Sequence, residues 1–195
     1  MIIEAILFDF DGVLVDTPQL HHRALNEALH HFGLVSIPFG YMGMMSRDKL
    51  IKFFPSYENQ FDSILAKKNE EYDNLFFYAL KNGLKNMLQY FGDYKIGIVS
   101  NSRRKYIDQY LFKTKFPLAK ISVIIARENT IAPKPSPDPY RMAAEEIGVD
   151  PAHILAIEDS DEGAESARLA GCHVMRSEYS KFDAEEILRF AEDIR

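Results

Sequence analysis

Polar side chains that can bind a metal ion or an anion follow four short hydrophobic segments of this 195-residue sequence. In chain order they are Asp9 and Asp11, Ser100 and Asn101, Lys134, and Glu158 and Asp159. If the segments are strands of one parallel sheet, these groups meet beyond the carboxyl ends of the strands, where ligands bind. One polar residue at a strand end is ordinary, but four strand ends that all lead to such groups indicate a site rather than a solvated edge.

The acidic members of this set require a cation. Like charges 4 Å apart repel by about 4 kcal/mol at an effective dielectric of 20, and Lys134 alone cannot offset four carboxylates. Oxygen ligands, with no cysteine or paired histidine nearby, favour Mg²⁺ over Zn²⁺. The remaining groups suit an anion, because Lys134 supplies a positive charge, Ser100 a hydroxyl donor, and the turn after Asp9 its backbone N–H groups. The expected ligand is a phosphoryl group.

The spacing of Asp9 and Asp11 suits two different chemical roles. Residues two apart in an extended segment point to the same side, so both carboxylates can face one substrate. Asp9, ionised beside Mg²⁺, can attack phosphorus and form an aspartyl-phosphate. Asp11, just past the strand, can protonate the leaving oxygen and later accept a proton from water, as paired carboxyl groups with separate pKa values do. Gly12 permits the sharp turn that follows.

The hydrophobic segments that carry these groups are predicted to be strands of a parallel sheet. Each is short and almost continuously apolar, which is typical of strands covered by helices on both faces. They comprise residues 2–8, 95–99, 121–125, 153–157 and 172–175. Segments with helical periodicity follow, at 102–114, 137–147, 160–170 and 183–194. This alternation predicts an α/β fold with an open, doubly wound, Rossmann-like sheet.

Residues 9–94, between the first and second predicted strands, are far more than one crossover helix needs. Four predicted helices occupy this stretch, at 18–32, 47–54, 58–79 and 84–91, and the last of them belongs with the sheet. We therefore predict a helical cap domain at 17–83, inserted into a core domain formed by 1–16 and 84–195. Its aromatic residues are interpreted as core packing rather than substrate contacts; they are Phe53, Phe54, Tyr57, Phe61, Tyr72, Phe76, Phe77 and Tyr78.

Composition narrows the class of protein further. The chain has 23 basic and 29 acidic residues and a net charge of −6, which argues against a nucleic-acid partner. No apolar run approaches the roughly 18 residues of a membrane span, and the start of the chain lacks the basic region of a signal peptide. The single Cys172 cannot form an intrachain disulfide, which fits a reducing environment. We therefore expect a cytoplasmic protein without nucleic-acid or membrane partners.

Four motifs of this sequence together resemble one enzyme family. They are DFDGVLVDT at 9–17, the hydrophobic strand ending at Ser100, KPSPDPY at 134–140, and EDSDEGAESARLAG at 158–171. In type, order and extent they are similar to the four signatures of the haloacid dehalogenase superfamily of phosphohydrolases. An insertion directly after the first motif resembles the helical-cap subclass, which includes phosphoglycolate phosphatase-like and β-phosphoglucomutase-like enzymes.

The resemblance implies a role for each residue of the core motifs. Asp9 is the expected nucleophile and a metal ligand, and Asp11 is the expected acid and base, with a backbone carbonyl that also binds Mg²⁺. Ser100 is expected to donate a hydrogen bond to the phosphoryl oxygens. Lys134 is expected to offset the charge that develops on them. Asp159 is expected to complete the metal site.

Four further residues are candidates for supporting roles. Glu158 is expected to act on the metal through water or from beside its ligands. Asn101 is expected to support the phosphate with its backbone N–H. His21, at the start of the first cap helix, is a candidate substrate contact, although a solvated helix face is the favoured interpretation. Arg47 either reaches a substrate phosphate or caps its own helix.

The leading prediction is a Mg²⁺-dependent phosphatase that hydrolyses a small phosphorylated metabolite through an aspartyl-phosphate on Asp9, acting as a monomer or homodimer. The nearest alternative is a β-phosphoglucomutase-like sugar phosphomutase. It is disfavoured because the KNEEY stretch at 68–72 is followed by Asp73 and Asn74 instead of the lysine found in such relatives. A receiver-like phospho-accepting signalling module is the alternative from another class, but a receiver needs neither a cap nor Asp11. A dehalogenase fits less well, because displacement of a halogen from carbon does not need Asp11. A non-catalytic sugar-phosphate binding protein also fits less well, because it would not need the complete set of catalytic residues.

Overall fold

The fold is described from a computed structural model that covers residues 2–41, 45–79 (backbone alone at 77–79), 91–92, 94–177 and 183–194. These residues form two compact units. The first comprises 1–16 and 81–195, and the second comprises 17–80. The predicted domain boundary between 83 and 84 lies outside the described residues, as does most of the predicted helix at 84–91. No helix within the described ranges has the length and apolar character that crossing a membrane requires.

A parallel sheet forms the centre of the first unit. Its five strands are β1 (Ala5–Phe8), β2 (Lys95–Val99), β3 (Ile121–Ile125), β4 (Ile154–Glu158) and β5 (His173–Arg176). Their order across the sheet is β3-β2-β1-β4-β5, with every neighbouring pair parallel. The order reverses direction at β1, so the switch point of the sheet lies beyond its carboxyl end, where such sheets bind ligands. The predicted doubly wound α/β fold is confirmed.

The strand prediction is wrong at the start of β1. The apolar run begins at residue 2, but Ile2 is exposed and only Ala5–Phe8 pair with both β2 and β4. The last two predicted strands each begin and end one residue later than expected. These shifts move no functional residue away from its strand end.

Helices cover both faces of the sheet in this unit. They are α4 (Arg104–Lys113), α5 (Asp138–Ile147), α6 (Asp161–Ala170) and α7 (Ala184–Asp193). One buried cluster combines apolar side chains of β1, β3 and β4 with those of α5 and α6, including Leu7, Val123, Tyr140 and Ala167. Burial of this kind contributes about 25 cal/mol per Å² of apolar surface, and it fixes the strand ends relative to α5 and α6.

The second unit is built from helices and connecting loops in its described part. Its α-helices are α1 (Thr17–His31), α2 (Ser46–Phe53) and α3 (Phe61–Ala79), and a short 3-10 segment at Pro55–Gln60 precedes α3. Leu25, Leu29, Leu50 and Phe61 belong to its own core cluster.

The core interpretation of the aromatic residues in this unit holds for Phe54, Phe61, Tyr72 and Phe76, which are buried. It is wrong for Tyr57, which lies in the 3-10 segment and is exposed. The side chains of Phe77 and Tyr78 lie outside the described residues.

Candidate active site

The register of the sheet places the ends of three strands side by side. Phe8 pairs with Ile98 of β2 and with Ile157 of β4. Asp9 continues this ladder, and its backbone N–H donates to the Ile157 carbonyl at 2.9 Å. Asp9 therefore emerges between the carboxyl ends of β2 and β4, because parallel strands in this register end at the same edge.

A buried lysine joins residues from separate parts of the chain. The Lys134 ammonium donates to Asp9 Oδ1 at 2.7 Å, to Glu158 Oε1 at 2.5 Å and to the Val99 carbonyl at 2.7 Å. Burial acts to lower the pKa of Lys134, but the two carboxylates more than offset it and hold that pKa above its ordinary value. The lysine is therefore a cation in the folded protein, with each of its three N–H groups engaged.

Sequence reasoning assigned no role to Tyr140, which contacts this group. Its hydroxyl donates to Glu158 Oε1 at 2.5 Å, and its ring centroid lies 5.1 Å from the Lys134 ammonium. Burial and then the charge of Glu158 raise the pKa of Tyr140 well above its ordinary value, so the hydroxyl keeps its proton. The sequence places this tyrosine at the end of the third motif, on a helix predicted to cover the sheet. A hydroxyl buried there requires a hydrogen-bond partner, and this was the signal that could have found it.

Three carboxylates form a cluster suited to a cation. Asp9, Glu158 and Asp159 each offer an oxygen, and the three oxygens lie within 4.8 Å of one another. Burial raises the pKa of Asp9 well above its ordinary range, and Lys134 offsets only part of this effect. Burial, Glu158 and Asp11 raise the pKa of Asp159 to about 6. A divalent cation would remove this conflict, because it favours the ionised form of every carboxylate around it.

Two glycines leave the space that these carboxylates occupy. A Cβ at Gly12 would lie 1.9 Å from Asp159 Oδ2, and a Cβ at Gly163 would lie 1.9 Å from Glu158 Oε2. Gly12 also has φ +78°, a conformation that side chains with a Cβ rarely adopt. The Glu158 Oε2 atom is buried without a hydrogen-bond partner among the described residues. A hard, oxygen-binding cation fits this donor set.

Asp11 and Ser100 also contact one another. The Ser100 hydroxyl donates to Asp11 Oδ2 at 3.2 Å and accepts the Ser102 N–H at 2.9 Å. The turn between Gly12 and Val15, closed by a 2.7 Å backbone hydrogen bond, follows Asp11 directly. The predicted acid–base carboxylate therefore lies beside the predicted phosphate-binding hydroxyl.

Asn101 has a structural contact that the sequence did not predict. Its side-chain amide donates to the Lys134 carbonyl at 3.1 Å and accepts the Lys134 N–H at 3.0 Å. This two-bond contact fixes the backbone of the loop that carries the lysine. Sequence reasoning also missed Arg176. Its guanidinium donates to the Asp159 carbonyl and to the Asp161 carboxylate, so it holds the segment that follows β4.

The second unit contains the two predicted substrate contacts, His21 and Arg47. His21 is half-buried, stacks on Tyr72 with ring centroids 4.2 Å apart, and lies 3.0 Å from the Lys68 ammonium through Nδ1. The favoured interpretation of a solvated helix face is therefore wrong for His21. Arg47 forms a 2.9 Å ion pair with Asp62 on the surface of this unit.

The environment of His21 predicts a pH-dependent stability. Burial, followed by the charges of Lys68 and Lys49, lowers its pKa to about 3, whereas an unfolded histidine titrates near 6.5. Between these values the unfolded chain binds a proton that the folded chain does not, so this contribution to stability is lost as pH falls below about 6.5. From pH 7 to pH 5 we expect wild type to lose up to about 2 kcal/mol more unfolding free energy than His21→Gln. Urea unfolding at both pH values measures the difference, and parallel losses would contradict the assignment.

The sequence profile of the haloacid dehalogenase-like hydrolases matches residues 6–176. The chain belongs to this family. Among proteins of the family, YhcW from Bacillus subtilis is 30% identical over 181 residues, which span 87% of this chain and 80% of YhcW. The phosphorylated carbohydrates phosphatase of Thermotoga maritima is 26% identical and spans 87% of this chain and 82% of its own length.

A solved structure agrees with the fold of this haloacid dehalogenase-like hydrolase. A hydrolase of the same superfamily from Geobacter sulfurreducens superposes with a TM-score of 0.78 at 21% identity, covering 97% of this chain and 96% of the other. The prediction of a phosphatase from this superfamily is confirmed at the level of enzyme class, because relatives matched across most of the chain are named as phosphatases.

Proposed function

We propose that this haloacid dehalogenase-like hydrolase is a Mg²⁺-dependent phosphatase that hydrolyses a small phosphorylated metabolite through an aspartyl-phosphate on Asp9. The observation that carries the proposal is the position of the Asp9 carboxylate. It lies 2.7 Å from the Lys134 ammonium and in one cluster with Glu158 and Asp159, at the switch point of the sheet. A carboxylate held beside the Lys134 ammonium and in a cluster suited to a divalent cation is placed to attack an anionic phosphoryl group.

The proposed reaction has two steps. In the first, an Asp9 carboxylate oxygen forms a bond to phosphorus while the bond from phosphorus to the leaving oxygen breaks, and Asp11 gives its proton to that oxygen. In the second, Asp11 takes a proton from water, the water oxygen bonds to phosphorus, and the bond to Asp9 breaks. Inorganic phosphate leaves and both aspartates return to their starting states.

The residues that would hold Mg²⁺ are Asp9, Asp159 and the backbone carbonyl of Asp11, with Glu158 beside them. The bound ion would supply positive charge toward the phosphoryl oxygens and keep the Asp9 carboxylate ionised. Ser100 and the Asn101 N–H would position the phosphoryl group. The Lys134 ammonium would remain the fixed positive charge of the site.

We propose that residues 17–83 are the cap domain of the helical-cap subclass and that His21 and Arg47 contact the substrate. The ion pair between Arg47 and Asp62 lies on the surface, where such pairs contribute little, so Arg47 can exchange Asp62 for a substrate anion. The Thermotoga maritima relative that is named for phosphorylated carbohydrates supports a phosphorylated metabolite as the substrate. We also propose a cytoplasmic location, which the single, unpaired Cys172 supports. We propose that the protein is a monomer or a homodimer.

Metal dependence gives the first test of the proposal. We expect hydrolysis of p-nitrophenyl phosphate to fall to the uncatalysed rate in EDTA and to return with added Mg²⁺, because the clustered carboxylates need a cation to remain ionised beside an anionic substrate. A screen of phosphorylated metabolites with and without EDTA then identifies the substrate. Equal activity in both conditions would contradict the metal assignment.

Two further assays separate the alternatives. Isomerisation of a sugar phosphate that requires priming by a bisphosphate would identify a mutase. A long-lived phosphorylated Asp9 without turnover would identify a receiver-like module. Release of inorganic phosphate with multiple turnovers is the result we expect from a phosphatase.

A further inference from the structure

The tyrosine of the third motif, Tyr140, donates a hydrogen bond to one carboxylate oxygen of the acidic cluster. Its hydroxyl and the Lys134 ammonium both donate to Glu158 Oε1, each at 2.5 Å. All three side chains are almost completely buried. Two short donors on the same oxygen restrain rotation of the Glu158 carboxyl group more tightly than either donor alone.

The second oxygen of Glu158 has a different environment. Glu158 Oε2 has no hydrogen-bond partner within the described part of the chain, although the side chain is fully buried. It lies in the space left by the missing side chain of Gly163. A buried carboxylate oxygen without a donor is costly unless a ligand completes its coordination.

We propose that Tyr140 is a positioning residue that holds Glu158 in the orientation required by the cation site. With Oε1 occupied by Tyr140 and Lys134, Oε2 keeps its lone pairs for the divalent cation or for a water molecule bound to it. The inference rests on the proposed metal-dependent function. It gives a role to Tyr140, to which the motif resemblance assigned none.

Removing the hydroxyl isolates this effect. In Tyr140→Phe the aromatic ring still packs in the core and still lies against the Lys134 ammonium. Only one of the two donors to Glu158 Oε1 is lost, so the carboxyl group gains rotational freedom. Loss of a group that orients a metal ligand typically weakens metal affinity by about 10–100-fold.

The test is calorimetric titration of Mg²⁺ into the substrate-free protein. We expect the dissociation constant of Tyr140→Phe to rise by about 10–100-fold relative to wild type, with part of kcat recovered at saturating Mg²⁺. Thr114→Val is the matched control, because it also removes a buried hydroxyl, which donates at 2.7 Å to the Tyr110 carbonyl. We expect this control to bind Mg²⁺ with the wild-type dissociation constant.

A double-mutant cycle distinguishes positioning from a general loss of stability. If Tyr140 acts through Glu158, Tyr140→Phe does not weaken Mg²⁺ binding further in a Glu158→Gln background. If Tyr140→Phe weakens Mg²⁺ binding by the same factor in the wild-type and the Glu158→Gln backgrounds, the inference is overturned. Unchanged affinity in the single Tyr140→Phe variant overturns it as well.

The outcomes also separate this inference from the proposed function. If the wild-type protein binds Mg²⁺ and hydrolyses phosphomonoesters while Tyr140→Phe binds Mg²⁺ equally well, only the role of Tyr140 is wrong. If wild type binds no Mg²⁺, the inference and the metal-dependent function fail together. If wild type binds Mg²⁺ without any hydrolysis and Tyr140→Phe binds it more weakly, the positioning role stands and the phosphatase assignment fails.

Discussion

The Asp9→Asn variant is expected to have no detectable phosphatase turnover. In the proposed mechanism the Asp9 carboxylate attacks phosphorus, and an amide cannot replace it. Losing the nucleophile of a covalent mechanism costs on the order of 10⁶ in kcat. Asparagine is almost isosteric with aspartate, and Lys134 keeps its bonds to Glu158 and the Val99 carbonyl. The loss should therefore be chemical and not a consequence of misfolding. Release of inorganic phosphate from an aryl phosphate under saturating Mg²⁺ measures it.

The control for this variant is Asp108→Asn on α4. Asp108 is exposed and pairs with Arg104 at 2.8 Å, so the same chemical change occurs there at an aspartate away from the acidic cluster. We expect wild-type kcat for Asp108→Asn. Wild-type turnover by Asp9→Asn would show that another residue is the nucleophile.

The Lys134→Met variant is expected to lose both activity and stability. Methionine has a similar length but no charge, so the buried Asp9 and Glu158 carboxylates lose the ammonium that they share. Breaking a buried ion pair by removing one partner typically costs about 3–5 kcal/mol of unfolding free energy. Urea unfolding in EDTA measures this cost without interference from bound metal, and the activity assay measures the second effect.

Lys67→Met provides the comparison for Lys134→Met. Lys67 also pairs with two carboxylates, Glu70 at 3.1 Å and Glu71 at 3.0 Å, but on the surface of α3. Solvent screens such a pair, so we expect a much smaller change in unfolding free energy. Equal losses in the two variants would contradict the view that Lys134 compensates buried charge.

Much of the site geometry follows from the sequence because it depends on strand ends. A parallel sheet brings the residues after its strands to one edge, and short apolar runs locate those strands well. This reasoning brought together Asp9, Glu158 and Asp159 from distant parts of the chain, and the structure places their oxygens within 4.8 Å. The start of β1 could not be predicted, since pairing partners and not hydrophobicity alone decide where a strand begins.

The contacts of the helices and loops were harder to predict. Tyr140 reaches Glu158 because the packing of α5 on the sheet directs one side chain inward, and sequence periodicity does not specify its partner. Arg47 pairs with Asp62, 15 residues away on another helix, a choice that depends on how two helices pack together. His21 follows the same rule, because its stacking on Tyr72 joins α1 to α3. Local patterns specify elements, whereas pairs between elements depend on tertiary packing.

All three N–H groups of the Lys134 ammonium already donate hydrogen bonds, and this limits how Lys134 can bind a phosphoryl group. Its three protons already point at Asp9, Glu158 and the Val99 carbonyl, so an incoming oxygen gains a proton donor only when one of these acceptors withdraws. In the proposed reaction Asp9 is the acceptor expected to withdraw, because its carboxylate loses its negative charge when one of its oxygens bonds to phosphorus and the leaving oxygen departs with the proton of Asp11. An N–H group of Lys134 can then turn from Asp9 to an oxygen of the attached phosphoryl group. The ammonium would keep all of its protons, and this new hydrogen bond would form only as the attack proceeds.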